Sequence, residues 1–276
     1  MAHTPHDRIS HLLSHAYDDL DSFSRASSDS NALDLSKILE WLDEARQVID
    51  GYDDYVAEHS SPHPTIVDEM LAQGDQRDWD KVFREGRIKH KLIPEMSAGG
   101  YEAVVLQQLA KISKAKTILE IGMFTGTTTV SLALLPTVDK VVTLDIEPYL
   151  REINTPYFQQ AGVAHKIDIR IDDALSSLTN LHKEGASFDM IFIDAHKPSY
   201  IKYFDSIMAS PHLLAKGGLI AVDNTVFAGG PWVPNPPVSL AKDIHKFNEY
   251  VKNYPDVEVV MLPIEDGISL IRRKDE

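Results

Sequence analysis

Two apolar runs in the second half of the chain end on oxygen-bearing side chains: FDMIFIDAHK reaches Asp194, and GGLIAVDN reaches Asp223 and Asn224. If the runs are neighbouring strands, two carboxylates and a carboxamide meet at one sheet edge. Such a set is hard and oxygen-only, suited to Mg²⁺ first and to Mn²⁺ or Ca²⁺ after it, with water or substrate completing the coordination. Zinc suits it less, although His196 is near enough in sequence to keep that metal open. Either acid alone reads as a helix N-cap just after a strand. The set does not, because uncompensated carboxyl groups beside an apolar core are costly without a cation.

A second chemical feature precedes these. TILEIGMFTG, Thr117 to Gly126, is an apolar run ending in an acid, two spaced glycines and helix-forming sequence. It reads as a first buried strand with a cofactor-holding turn, the place where ligands collect in an open parallel sheet. A dinucleotide fingerprint needs G-x-G-x-x-G, but the residue two after Gly122 is Phe124, whose ring would obstruct a pyrophosphate. E-x-G-x-x-x-G instead suits a phosphate-free cofactor such as S-adenosylmethionine. Asp145 closes the next predicted strand, where a carboxylate can accept hydrogen bonds from ribose hydroxyls. Alone it would read as a cap or a solvated acid; with the glycine turn it points to adenosine.

The elements that must position these groups follow from hydrophobic periodicity. Strands are expected at Thr117 to Ile121, Lys140 to Asp145, Ile167 to Ile171, Phe188 to Asp194, Gly218 to Asp223, Glu258 to Leu262 and Ile268 to Arg272, with helices at Tyr101 to Ile112, Thr127 to Leu135 and Tyr200 to Leu214. Alternating strands and helices predict an α/β doubly wound, mainly parallel sheet. Only Pro263 to Gly267 separates the last two strands, so they should form an antiparallel hairpin. Ahead of this lies a helical region without a catalytic signature. Ile9, Leu12, Leu13, Ala16 and Leu20 trace one helical face, Ser22 to Asn31 reads as a linker, and Leu35, Ile38, Leu42, Ala45, Ile49 and Tyr52 trace a second helix. A further helical piece runs from Thr65 to about Gln73, and Trp79, Val82 and Phe83 begin another. The chain therefore divides into a helical extension over residues 1–93, acting as cap, dimer contact or lid, and a catalytic portion over 94–276.

Composition narrows the partners. The chain has 27 basic against 42 acidic residues among 276, a formal charge of −15 that repels nucleic acid and anionic lipid, so the partner is a small molecule or a second copy. There is no cysteine, which excludes disulfides, thiolate metal sites and cysteine nucleophiles. Twelve histidines sit mostly singly in polar stretches, as surface histidines do. No apolar stretch approaches the length of a membrane span, and MAHTPHDRIS lacks the apolar region of a secretory signal, so a cytoplasmic protein is expected.

TILEIGMFTG, LDIEPY, AGVAHKID, FDMIFIDAHK, VDNTVFAGG and MLPIEDGISLIRR together resemble, in order, the cation-dependent O-methyltransferases typified by caffeoyl-CoA and catechol O-methyltransferases. The resemblance runs from about Met96 to Arg273. It implies a seven-stranded S-adenosylmethionine methyltransferase fold, with the last strand antiparallel, in a homodimer. Carried over by position, it makes Asp194, Asp223 and Asn224 the metal ligands. Met96, Glu120, Gly122, Thr128, Asp145, Ala174, Asp194 and Tyr203 become cofactor contacts, and Lys197 becomes the general base. Read without the resemblance, Lys197 is a surface lysine paired with a carboxylate. A narrower similarity joins WLDEARQVIDGYDDY and WDKVFREGRIKHKLIPEMS to the leader of methyltransferases from mycosporine biosynthesis, which implies an enolised cyclitol of the 4-deoxygadusol type. The chain departs from the family in three places: His196 replaces an aspartate, Ala98 a threonine, and Asp172-Asp173 a Gly-Pro pair.

The expected reaction is methyl transfer to a hydroxyl of a small vicinal dihydroxy compound, whether a catechol, flavonoid, hydroxycinnamoyl compound or cyclitol enediol. Chelation of its two oxygens by the cation would lower the hydroxyl pKa, and Lys197 would accept the proton if burial and the cation depress its own. Phe227 and Trp232 are candidates to pack on the acceptor ring, against ordinary packing or a dimer contact. The competing readings are a metal-independent methyltransferase, in which the acids only cap helices, and a non-catalytic S-adenosylmethionine-binding scaffold.

Overall fold

The structure is a computed structural model that describes residues 5–26, 35–236 and 238–274. In chain order the helices are α1 (Pro5–Ala26), α2 (Leu35–Asp50), α3 (Tyr52–Glu58), α4 (Thr65–Asp75), α5 (Trp79–Arg84), α6 (Gly100–Ile112), α7 (Thr127–Ala133), α8 (Pro148–Gln160), α9 (Ala174–Lys183), α10 (Tyr200–Ala209) and α11 (Ala241–Lys252). The strands are β1 (Thr117–Ile121), β2 (Lys140–Asp145), β3 (Ile167–Ile171), β4 (Phe188–Ile193), β5 (Leu214–Val222), β6 (Val257–Leu262) and β7 (Ile268–Arg273).

One seven-stranded sheet has the order β3-β2-β1-β4-β5-β7-β6. Only β7 runs antiparallel: it pairs with β5 on one side and forms the expected hairpin with β6 on the other. The order reverses between β1 and β4, which run side by side in parallel, and that reversal is where such sheets open a ligand crevice. The central strands β1, β2 and β4 and the end of β5 are buried in continuous runs because both faces are covered, whereas the outer strands β3 and β6 are only partly covered. Ile118, Val141, Met190 and Phe192 point into one buried cluster with Met70, Trp79, Leu106, Val130 and Phe158. Leu119, Ile121, Val142, Ile191 and Ile220 point into a second with Leu178, Tyr200, Phe204, Ile244 and Phe247.

Several boundaries differ from expectation. α10 ends at Ala209, and Leu214 already belongs to β5, so that strand starts before Gly218 and the helix does not reach Leu214. The pairing of β4 with β5 shifts register between Phe188 and Met190, and this irregularity lengthens β5 beyond its regular apolar run. α7 stops at Ala133 rather than Leu135. α1 continues through Ser22 to Ala26, where a linker was expected, and its last turn carries an Arg25–Asp21 ion pair at 2.7 Å. The remainder of that linker, and the side chains of Ile9, Leu35 and Ile38, lie outside the described residues. Tyr52 does not continue the α2 stripe, because the chain breaks at Gly51 and Tyr52 opens α3.

The helices before α6 divide into two kinds. α4 and α5 place Ile66, Val67, Met70, Trp79 and Val82 in the same buried cluster as the sheet, on the N-terminal side of the expected division at residue 93. By contrast α3 buries no residue, and Leu12 on α1 and Val48 on α2 are 57% and 65% exposed. α1 packs along α2 and against the turn Phe227–Trp232. No helix among the described residues is long and apolar enough to cross a membrane.

Candidate active site

The strand ends at the reversal are linked by successive backbone hydrogen bonds. Gly122 N–H donates to Leu144 O at 2.9 Å, Asp194 N–H to Ile121 O at 2.9 Å, and Asp223 N–H to Ile193 O at 3.0 Å. The parallel ladder therefore carries the glycine turn and both predicted metal acids along one edge. Gly122 sits at φ +105°, and a β-carbon there would lie 1.9 Å from the Asp194 carbonyl oxygen. No other residue type fits so close a backbone approach. Gly126, in the left-handed region, then opens α7.

Glu120 is wholly buried, and its carboxylate accepts hydrogen bonds from the hydroxyls of Thr128, Thr129 and Thr143. Burial pushes its pKa from the ordinary 4.5 up to about 7, with the three hydroxyls opposing the shift. Two predicted cofactor contacts, Glu120 and Thr128, are thus bonded to each other beneath the turn. Asp145 is also committed: its Oδ2 accepts from Met123 N–H at 3.2 Å and Phe124 N–H at 3.0 Å, and its Oδ1 from Glu147 N–H at 3.0 Å. Its pKa is raised by burial against the pull of those backbone donors. Phe124 turns its ring onto Trp79, with centroids 5.1 Å apart.

Other predicted contacts lie along the same edge. The 96–98 segment is tied to the turn by a Ser97–Thr125 hydroxyl contact at 2.5 Å and by Thr127 Oγ1 donating to Ala98 O at 3.3 Å; Met96 itself is 46% exposed. Ala174 opens α9, whose N-cap Asp173 accepts from Ser176 N–H at 3.1 Å. Tyr203 is buried on α10. His196 is exposed and contacts Ser199 Oγ through Nδ1 at 3.1 Å.

The acid pair is the least satisfied part of this edge. Lys197 Nζ donates to Asp194 Oδ1 at 2.6 Å and stands 5.4 Å from the centroid of the Tyr200 ring. Burial acts to neutralise Lys197, yet the charge of Asp194 prevails, reinforced by Tyr200 and Asp223, and its pKa is raised. The depressed pKa expected of a general base is therefore absent while no cation offsets Asp194. Asp223 is 4% exposed and its Oδ1 has no hydrogen-bond partner. Burial first, then the Asp194 charge, pushes its carboxyl well above the ordinary range. Asn224 follows at φ +59°, a conformation that asparagine tolerates better than most residues.

One residue that the sequence reading missed joins this group. Glu102, in the first turn of α6, is 5% exposed with its Oε1 unpartnered, and Asp223 and Asp194 are its leading charged neighbours. A signal was available, since Glu102, Leu106 and Ala110 recur every four residues and share the buried stripe of α6.

The loop after Asn224 is shaped from outside. Val226 N–H donates to Asp266 O at 2.9 Å, Ala228 N–H to Asp266 Oδ1 at 2.5 Å, and Asn248 Nδ2 to Thr225 O at 2.7 Å. Phe227 packs on the second core cluster, and Trp232 is 64% exposed. Among the described residues no three His, Cys, Asp or Glu side chains form a metal-holding group. The predicted set contains two acids and an amide, and its orphaned carboxylate oxygen and oxygen-only chemistry fit a hard divalent cation. A surface cleft of about 700 Å³ lined by Gln73, Arg77 and Tyr157 includes none of these groups.

A doubly wound sheet with one antiparallel strand, a glycine turn at its reversal and a carboxylate beside that turn defines a Rossmann-like methyltransferase. Residues 72–274 match the O-methyltransferase family model, and the chain belongs to that family as an S-adenosylmethionine-dependent O-methyltransferase. It is 38% identical over 203 residues to a caffeoyl-CoA O-methyltransferase of Eucalyptus globulus, covering 70% of this chain and 80% of the relative. Tricin synthase 1 of Oryza sativa subsp. japonica is 37% identical over 191 residues, covering 64% and 75%. Among solved structures, the O-methyltransferase TomG from Streptomyces achromogenes in complex with SAM superposes with a TM-score of 0.63 at 27% identity, covering 80% and 95%. The SAH-bound methyltransferase PaMTH1 of Podospora anserina has the same fold, with a TM-score of 0.71 at 23% identity, covering 83% and 96%.

Proposed function

We propose that this O-methyltransferase is divalent-metal-dependent and acts on one hydroxyl of a small vicinal dihydroxy compound. The observation that carries this reading is the orphaned, buried Oδ1 of Asp223 beside Asp194 and Asn224. A buried carboxylate oxygen without a donor is costly, and a cation held by these three side chains would remove that cost. When bound, Mg²⁺ or a like cation supplies Lewis acidity toward the two acceptor oxygens, and S-adenosylmethionine supplies a sulfonium methyl.

The chain's own groups do the rest. Asp145 and the Gly122 turn hold the adenosyl end of the cofactor, with Met96, Glu120, Thr128, Ala174, Asp194 and Tyr203 lining or supporting that pocket. Lys197 is the proton acceptor at Nζ, a role it takes once Asp194 is committed elsewhere and no longer stabilises the ammonium. Orientation of acceptor and donor accounts for much of the rate. The relatives named for caffeoyl-CoA and tricin support a phenolic acceptor; a cyclitol enediol is the alternative substrate.

Residues 1–93 form the extension to a catalytic portion at 94–276. Within the extension, α1 lies against the acceptor-side turn at Phe227–Trp232, which supports a role in shaping acceptor access. A cytoplasmic homodimer is the assembly that accords with the family.

The Lys197–Asp194 ion pair favours one second reading, a metal-independent enzyme in which lysine alone compensates the acid. Activity in EDTA separates the two. Mass-spectrometric assays with and without Mg²⁺, over catechols, flavonoids, hydroxycinnamoyl thioesters and cyclitol enediols, should show a methyl gain only with metal. Asp223→Ala should abolish that gain while cofactor binding partly survives, and full turnover by the variant in chelator sinks the metal reading.

A further inference from the structure

The chain contains its own controls for what a structural buried carboxylate looks like. Glu120 is fully buried and receives three hydroxyl donors. Glu147, 2% exposed, accepts from the backbone N–H groups of Lys89 at 2.9 Å and His90 at 2.8 Å, and its Oε1 contacts the His90 ring at 2.7 Å. Each uses its burial to fix neighbouring chain, as the cost of an unsatisfied buried acceptor demands. Glu102 breaks this pattern: it is 5% exposed, but its Oε1 meets no donor.

The position of Glu102 accounts for the difference. Helix α6 packs on the face of the sheet that carries Ile118, Met190 and Phe192, with Leu106 and Ala110 anchoring it there. Glu102 stands in its first turn, and its leading charged neighbours, in order, are Asp223, Asp194, Glu265 and Lys197. Three of these neighbours are acids, and the one cation, Lys197, donates to Asp194 Oδ1, so repulsion dominates around Glu102 and its Oε1 meets no donor. Asp223 has the matching defect, a buried Oδ1 with no partner. Two unsatisfied carboxylate oxygens from separate elements, electrostatic neighbours in a site poor in donors, describe a place that a hydrated cation completes.

We propose that Glu102 is an outer carboxylate of the cation site, stabilising the hydrated divalent metal that Asp194, Asp223 and Asn224 bind and setting how tightly the site holds it. Glu102 approaches from a helix rather than from the strand edge, and acts as a positioning residue through charge and through acceptance from metal-bound water. Loss of an outer group of this kind typically weakens metal affinity by about 10- to 100-fold. The assignment rests on the metal-dependent reading above.

The test is Mn²⁺ binding followed by electron paramagnetic resonance, with S-adenosylhomocysteine affinity measured on the same samples. Glu102→Gln preserves shape and removes the charge, and is expected to weaken Mn²⁺ binding about 10- to 100-fold while leaving S-adenosylhomocysteine affinity unchanged. Wild-type Mn²⁺ affinity in Glu102→Gln overturns the assignment and leaves the metal-dependent reading standing. Absence of Mn²⁺ binding by the wild-type protein overturns both. If Glu102→Gln loses S-adenosylhomocysteine binding through misfolding, Glu102→Asp, which keeps the charge but withdraws it by one methylene, is read in the same way. Weakened Mn²⁺ binding with S-adenosylhomocysteine affinity intact supports the assignment, and unchanged Mn²⁺ affinity overturns it.

Discussion

The two halves of the site edge are built on opposite principles. At the turn after β1, the buried polar groups are matched: Glu120 has three hydroxyls, and Asp145 has the amides of Met123, Phe124 and Glu147. At the ends of β4 and β5, acids outnumber donors, and Asp223 and Glu102 keep buried oxygens unpartnered. The first half is finished by the protein and presents a rigid shape. The second is left incomplete, which is what the proposed cation site requires. Preorganisation and deliberate insufficiency therefore lie side by side, joined by the hydrogen bond from Asp194 N–H to Ile121 O.

The largest way to break this contrast is at that junction. Gly122→Ala places a β-carbon against the Asp194 carbonyl at a left-handed φ; urea denaturation should show a loss of about 3–5 kcal/mol, with both halves of the edge affected.

A pH series sharpens the first half. The folded pKa of Glu120 lies above its unfolded value, so the native state holds the proton longer. Its stabilising contribution is complete below about 4.5 and is lost as pH rises to about 7. Stability of the wild type relative to Glu120→Gln, which does not titrate, should fall by about 3 kcal/mol across that window. A flat difference would mean that the threonine hydroxyls hold the carboxylate near its ordinary pKa.

The smallest effect distinguishes the second half. Asp223→Asn removes a buried carboxyl group whose Oδ1 has no donor, so in EDTA the variant should be about 1 kcal/mol more stable than wild type by thermal or urea unfolding. Mg²⁺ should reverse the order by stabilising only the wild type. Greater stability of the wild type in EDTA would show Asp223 to be a structural acid like Glu120.

Hydrophobic pattern and glycine placement carried the architecture a long way. The ranges of β1, β2 and β3 and the closing hairpin were readable, because an apolar run ending in turn residues has few other ways to bury itself. Asp194 and Asp223 were readable as a pair because both close such runs, and the resemblance between motif blocks supplied the roles expected of them. Boundaries at α10 and β5 were not readable, since a register shift depends on what the neighbouring strand offers. The break between α2 and α3 at Gly51 was likewise hidden in a continuous apolar stripe.

By itself the sequence determined the sheet, its glycine turn and the identities of the strand-end acids, because those follow from local periodicity and from residue chemistry at strand ends. Only the tertiary structure decided which acids are satisfied. It enclosed Glu120 among three threonines and brought Glu102 from a helix 92 positions before Asp194 beside the strand-end acids. Whether a buried carboxylate has a donor depends on what folding places around it in space, and position along the chain carries no record of that.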